Sequence, residues 1–249
     1  MNTPLLNRLE KLTEVLAQDP DCLGLLALGS AADLSRMDAY SDLDFFVIVK
    51  DGTVQRFLDE DTWLCACAPL AYRFRNTPDG HKVLWSDGIY AEYAVFEVST
   101  LASIPYTKGR WCFQREGFTL PDQPQCPLPD PRQDPAYAYN EALTNLLVGM
   151  MRYRRGERLA GARLIQVHAV DRILSTLEDP TLPLSPSVDP FSLERRIEFR
   201  HPQIVPLLQA VVVDLDHLPQ AALALLDYLE NRMAIPMALR QRLIDLCLH

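Results

Sequence analysis

Leu5, Leu9, Leu12 and Leu16 recur at spacings of three and four before Asp19-Pro20, a pattern that predicts an amphipathic helix over residues 4–18 packed on a sheet. The next apolar runs are short. Leu23 to Leu28 and Phe45 to Val49 predict strands, and Ser30 to Leu34 are expected to begin a helix. Leu70 to Arg75 and Lys82 to Trp85 flank Asn76-Thr77-Pro78-Asp79-Gly80, whose turn chemistry favours a hairpin, and Ile89 to Val98 supplies a further strand. From Leu120 to Pro135 six prolines fall in sixteen residues, a stretch that cannot continue a helix or a central strand. Beyond it the period turns helical, over 136–155, 157–178, 192–199, 203–213, 220–231 and 236–248. The fold class expected is α+β, with a mixed-sheet domain at residues 1–119, a proline-rich connector at 120–135 and an all-α helical bundle at 136–249.

Composition narrows the partners. A net charge of −9 leaves no basic surface to neutralise a long phosphate backbone, so nucleic acid is not expected as a partner. No stretch approaches the roughly 20 apolar residues of a membrane span. The six cysteines show no CxxC pairing and the N-terminus has no basic and apolar leader, so reduced thiols and the cytoplasm are the expectation. Cys65-Ala66-Cys67 lacks a second ligand pair and reads as two core or edge positions rather than a zinc site.

The chemistry-bearing residues cluster between Leu28 and Val49. Residues two apart on a strand share a face, so Asp42 and Asp44 project together while Leu43 and Phe45 face the core. Two such carboxylates suit Mg²⁺, which takes a few carboxylate oxygens and completes its shell with phosphates. Gly29 lets backbone N–H groups approach phosphate oxygens, and the Ser30 hydroxyl adds a donor. Together these residues suggest nucleotidyl transfer. That reaction also needs a group to take the acceptor proton. Glu92 and Glu97 lie on the Ile89–Val98 strand, five apart and so on opposite faces; Glu92, earlier in the strand, is the better candidate. Asp87 reads as a turn residue, and Tyr72, Trp85 and Tyr90 as packed strand aromatics, any one of which could stack on a base. The basic cluster of Arg152, Arg154, Arg155, Arg158 and Arg163 reads either as a phosphate contact or as a positive helix end. Glu194 and Glu198 read as a solvated network with Arg195 and Arg196, and His168 and His201 as packed or surface groups.

Gly29-Ser30, Ser41-Asp42-Leu43-Asp44 and Ala91-Glu92-Tyr93 resemble the polymerase-beta-type nucleotidyltransferase superfamily, and within it the lincosamide nucleotidyltransferases. Trp63-Leu64, Ala68-Pro69, Asn76, Gly80, Val83, Asp87 and Ile89 follow in the order of that family, as does Arg155-Gly156-Glu157; the match is strongest over 23–98. The resemblance implies a Mg²⁺-dependent enzyme that moves a nucleoside monophosphate from a triphosphate such as ATP to a small-molecule hydroxyl, releasing pyrophosphate. On it, Asp42 and Asp44 would ligate the metal, Ser30 would hold the terminal phosphates, Glu92 would be the base and Arg155 would complete the triphosphate site. A lincosamide-type antibiotic is the acceptor expected. An aminoglycoside acceptor, a catalytically silent nucleotide-binding module and a homodimer completing the cleft are the alternatives. The chain departs from the family at Ala31-Ala32-Asp33-Leu34, where many members carry a basic residue and a glycine; Arg36, Lys108 or Arg110 would then have to reach the phosphates.

Overall fold

A computed structural model describes residues 4–248, and the chain divides at Leu128/Pro129 into two compact units. In the first, α1 (Pro4–Gln18) turns Leu5, Leu9, Leu12 and Leu16 inward as their spacing demands. β1 (Cys22–Leu28) follows, then a single helical turn, α2 (Gly29–Ala32), a 3-10 turn at Leu34–Arg36, and β2 (Leu43–Val49). Helices α3 (Val54–Asp59) and α4 (Thr62–Cys65) lead into the hairpin of β3 (Leu70–Thr77) and β4 (Gly80–Trp85). β5 (Tyr90–Glu97), α5 (Val98–Leu101) and β6 (Arg110–Gln114) complete the unit. The helix expected to begin at residues 30–34 stops early because Asp33 turns extended and its carboxylate accepts from Ser35 N and Oγ, at 3.2 and 2.6 Å.

The six strands form one mixed sheet in the order β3-β4-β5-β2-β1-β6. β2 and β5 run parallel at its centre and the other pairings are antiparallel. Alternation assigns each strand's residues to two faces. One face buries Leu43, Phe45, Val47, Val83, Trp85, Tyr93 and Val95 beneath α1. On the other, Leu26, Ile48 and Phe96 pack with Leu101, Tyr106 and Leu120. The Tyr106 hydroxyl donates to the Pro121 and Gln123 carbonyls at 3.3 and 2.9 Å, so the proline-rich stretch begins as part of this unit.

The second unit is helical. It comprises α6 (Pro135–Arg154), α7 (Arg158–Ala162), a π-helical segment at Arg163–Ala169, α8 (Val170–Leu174), α9 (Ile197–Arg200), α10 (Val205–Val211), α11 (Leu218–Glu230) and α12 (Met237–Leu248). Its core gathers Leu143, Leu146, Ile165, Leu225, Leu229 and Leu243. α6 and α7 touch through two glycines: a Cβ at Gly149 would stand 2.6 Å from Ile165 Cγ1, and one at Gly161 2.8 Å from the Gly149 carbonyl. The helix expected over 192–199 shrinks to α9 because Arg196 adopts a left-handed φ of 58°, which breaks the helical run before Ile197. The one expected over 157–178 ends at Leu174, where Ser175 and Thr176 hydroxyls bond back to the Arg172 and Ile173 carbonyls. No described helix is long and apolar enough to cross a membrane.

Candidate functional site

The antiparallel β1 ends where β2 begins, and the parallel β5 begins level with it, so one end of the sheet collects three segments. Leu28 pairs with Asp44, and Asp44 pairs in register with Glu92. Directly after Leu28 the chain turns through Gly29 at φ +53°, a conformation that glycine reaches without strain. Space makes the same demand: a Cβ on Gly29 would lie 2.8 Å from Asp44 Oδ2. The glycine therefore brings the first turn of α2 against a carboxylate. No side chain caps that turn, because Leu28 holds the N-cap position. The Ser30 hydroxyl lies 3.5 Å from the Asp42 carbonyl and ties the turn to the approach of β2.

Asp42 stands one residue before β2 and Asp44 is its second residue; both are partly exposed, whereas Leu43 and Phe45 are buried. Glu92 receives two donors on a single oxygen. Lys82 Nζ lies 2.7 Å from Oε1, and the Tyr90 hydroxyl donates to the same atom at 3.0 Å. Lys82 sits opposite Glu92 across β4 and β5, so Asp44, Glu92 and Lys82 form one row over three strands. The hydrogen bond to Glu92 raises the pKa of Lys82. Burial raises that of Tyr90, and the hydrogen bond and charge of Glu92 and the charge of Asp42 push it the same way.

Glu97, the rival to Glu92, pairs with Val49 at the far end of β2. Its carboxylate accepts from Gly52 N at 2.7 Å and from the Ser99 hydroxyl at 3.4 Å, closing the loop after β2. Asp87 sits in the turn before β5, held by Arg8 Nη2 at 2.6 Å, while Arg8 lies 4.4 Å over the Trp85 ring. The three strand aromatics part company: Trp85 is buried and donates to the Leu64 carbonyl at 3.1 Å, Tyr90 holds Glu92, and Tyr72 is exposed.

The basic candidates also separate. Arg110 donates from Nε and Nη2 to the Ala31 carbonyl at 3.1 and 2.9 Å, so its guanidinium closes the C-terminal end of α2. Lys108 pairs with Asp122 at 3.6 Å. Arg36 ends the 3-10 turn after α2, with its Nε buried and without a hydrogen-bond partner among the described residues. Arg155 belongs to the helical unit, where it follows α6 and lies 3.5 Å from Glu157. Its neighbours are engaged there too, Arg152 with Glu157 at 2.8 Å, Arg154 with the Leu246 carbonyl and Arg158 with Asp216. His201 bonds Glu178 at 2.7 Å, beside Arg200, and the six cysteines are free thiols.

Among the described residues no three His, Cys, Asp or Glu side chains gather into a metal cage. The Asp42 and Asp44 pair fits a hard cation that takes one or two carboxylates and fills its shell with water and phosphate oxygens, and does not fit zinc.

No family model and no curated protein matches this chain. Among solved structures it is similar to an aminoglycoside 6-adenyltransferase from Bacillus subtilis, at 9% identity over 99% of this chain and 92% of that one, with a TM-score of 0.33. A nucleotidyltransferase-like protein from Exiguobacterium sibiricum is similar at 12% identity, over 91% of this chain and 75% of that one, TM-score 0.34. A STING-associated CdnE c-di-GMP synthase from Capnocytophaga granulosa is similar at 13% identity, over 97% and 80%, TM-score 0.31.

Proposed function

We propose that the protein is a Mg²⁺-dependent nucleotidyltransferase that transfers a nucleoside monophosphate to a hydroxyl of a small molecule, a lincosamide-type antibiotic, with release of pyrophosphate. The observation that carries this reading is the fit of Gly29 against Asp44, with Glu92 in register beside them. A phosphate-approaching turn, a cation-binding pair and a carboxylate for the acceptor would then share one end of the sheet. Asp42 and Asp44 would hold Mg²⁺, which when bound neutralises charge on the phosphates. The amides of the Gly29-Ser30 turn, the Ser30 hydroxyl and Arg36 would orient the triphosphate. Glu92 would take the proton of the acceptor hydroxyl as that oxygen bonds to the α-phosphorus and the bond to the β-phosphate oxygen breaks. Lys82 and Tyr90 fix Oε1, which leaves Oε2 for the proton.

The test compares wild type with Asp42→Asn, using Mg²⁺, labelled nucleoside triphosphates and a panel of lincosamides and aminoglycosides. The expected result is labelled product and pyrophosphate from wild type, with turnover reduced about 10³-fold in the variant. Equal turnover by the two proteins overturns the metal assignment. A second reading, a nucleotide-binding module without turnover, is favoured by the double engagement of Glu92 Oε1; Mg²⁺-dependent triphosphate binding with no product from any acceptor selects it.

A further inference from the structure

The row through Asp44, Glu92 and Lys82 continues onto the edge strand, where Phe74 pairs with Lys82; in the next row Tyr72 pairs with Leu84, and Leu84 with Tyr90. These residues share the sheet face opposite α1. Phe74 and Tyr72 are 49% and 54% exposed there. The residue between them, Arg73, turns to the other face and donates to the Leu58 and Asp59 carbonyls, so the alternation is real and the aromatics are held outward. The charges that blunt this edge strand, Arg73 and Arg75, fall at the alternate positions, so the two exposed rings lie on the same face as Lys82, Glu92 and Asp44.

Resting on the nucleotidyltransferase reading, we propose that Tyr72, Phe74, Leu84 and Lys82 form the acceptor subsite, and that it takes a compound of two linked rings with at most one positive charge, one ring bearing the hydroxyl. Size and charge set this class. Strands lie about 4.8 Å apart, so Phe74 stands about 10 Å from Glu92, the reach of two rings rather than one. A ring face can lie on Phe74 and Tyr72 while the second ring brings its hydroxyl to Glu92. The ammonium of Lys82 lies between those two points and already pairs with Glu92, so a polycationic acceptor meets a like charge where it needs a carboxylate. The two rings are solvent-facing positions of an edge strand, so their replacement leaves the core intact.

The full chain is titrated with p-nitrophenyl β-glucopyranoside, a neutral two-ring compound, and with neamine, a polycation, in the presence of Mg²⁺ and nucleoside triphosphate. Binding is read by saturation-transfer NMR and nucleotide affinity by a separate titration. The glucoside is expected to bind, and a Tyr72→Ala/Phe74→Ala variant to weaken it about tenfold while nucleotide affinity is unchanged. Preference for neamine, failure of the glucoside to bind, or equal glucoside affinity in the two proteins overturns the proposal. Loss of Mg²⁺-nucleotide binding in wild type instead overturns the nucleotidyltransferase reading beneath it, and its separate titration tells the two failures apart.

Discussion

The two faces of the central sheet are made from the same strands by alternate residues, yet they have opposite chemistry. Under α1 the inward strand positions are apolar or aromatic apart from the buried His81, and Leu12, Leu16, Phe45 and Trp85 are almost wholly withdrawn from solvent. Across the sheet, the half nearest Leu120 is equally apolar, but the half at the start of β2 and β5 carries Asp44, Glu92 and Lys82. Strand propensity cannot explain the change, because it occurs within single strands. Carboxylates on central strands lose hydration unless a partner compensates them, so the polar half is a cost that the apolar half supports.

A pair of substitutions breaks the comparison most sharply. Leu12→Ala removes a fully buried side chain and is expected to lower stability by about 2–5 kcal/mol, seen in urea unfolding, with nucleotide affinity of the folded protein unchanged. Asp44→Asn is expected to do the reverse, cutting turnover about 10³-fold while the unfolding midpoint stays put. A variant at either position that moves both quantities together contradicts the division of labour.

The apolar face was legible in the sequence because periodicity reports burial directly: Leu5 to Leu16 gave α1, and the short apolar runs gave β1 through β5 to within a few residues. β6 escaped because Arg110 to Gln114 mixes charge with aromatics and shows no alternation, being half-buried from Arg110 to Phe113 and exposed at Gln114. Helix ends in the second unit escaped for another reason, that hydroxyl back-bonding and a left-handed Arg196 stop a helix without proline or glycine. On the polar half, Gly29, Asp42, Asp44 and Glu92 stood out as residue types in an unusual place. Lys82 did not, since a lysine in a hairpin reads as a solvated charge until strand register puts it opposite Glu92. Nor did the role of Arg110, whose partner is a backbone carbonyl 79 positions away.

Acid sharpens the comparison from the covered face. His81 is buried beside the Tyr93 ring, at 5.6 Å between centroids, and desolvation, with the charges of Arg73 and Arg75, lowers its pKa to about 4. An unfolded histidine titrates near 6.5. Above that value both states are neutral and the group has no effect; as pH falls toward 4 the unfolded chain takes a proton that the folded protein refuses. Stability present above pH ~6.5 is therefore lost on acidification, by about 2 kcal/mol at pH ~5. Urea unfolding at these two pH values should show the loss in wild type and a smaller one in His81→Gln, and an equal loss in both assigns the acid sensitivity elsewhere.

The smallest effect separates two glutamates of one strand. Glu97 accepts from the Gly52 amide and supports the loop after β2, seven residues of parallel pairing from Glu97–Val49 back to Ala91–Leu43 placing it at the opposite end from Asp44. Glu97→Gln keeps a carbonyl oxygen for that amide but gives up the charge, so a loss of about 1 kcal/mol in stability is expected with turnover within about twofold of wild type. Glu92→Gln keeps its shape and removes the proton acceptor, so turnover should fall about 10²-fold or more with little change in stability. Steady-state kinetics on both variants decide the matter: if Glu97→Gln is the slower enzyme, the register that sets Glu92 beside Asp44 does not mark the reacting end of the sheet.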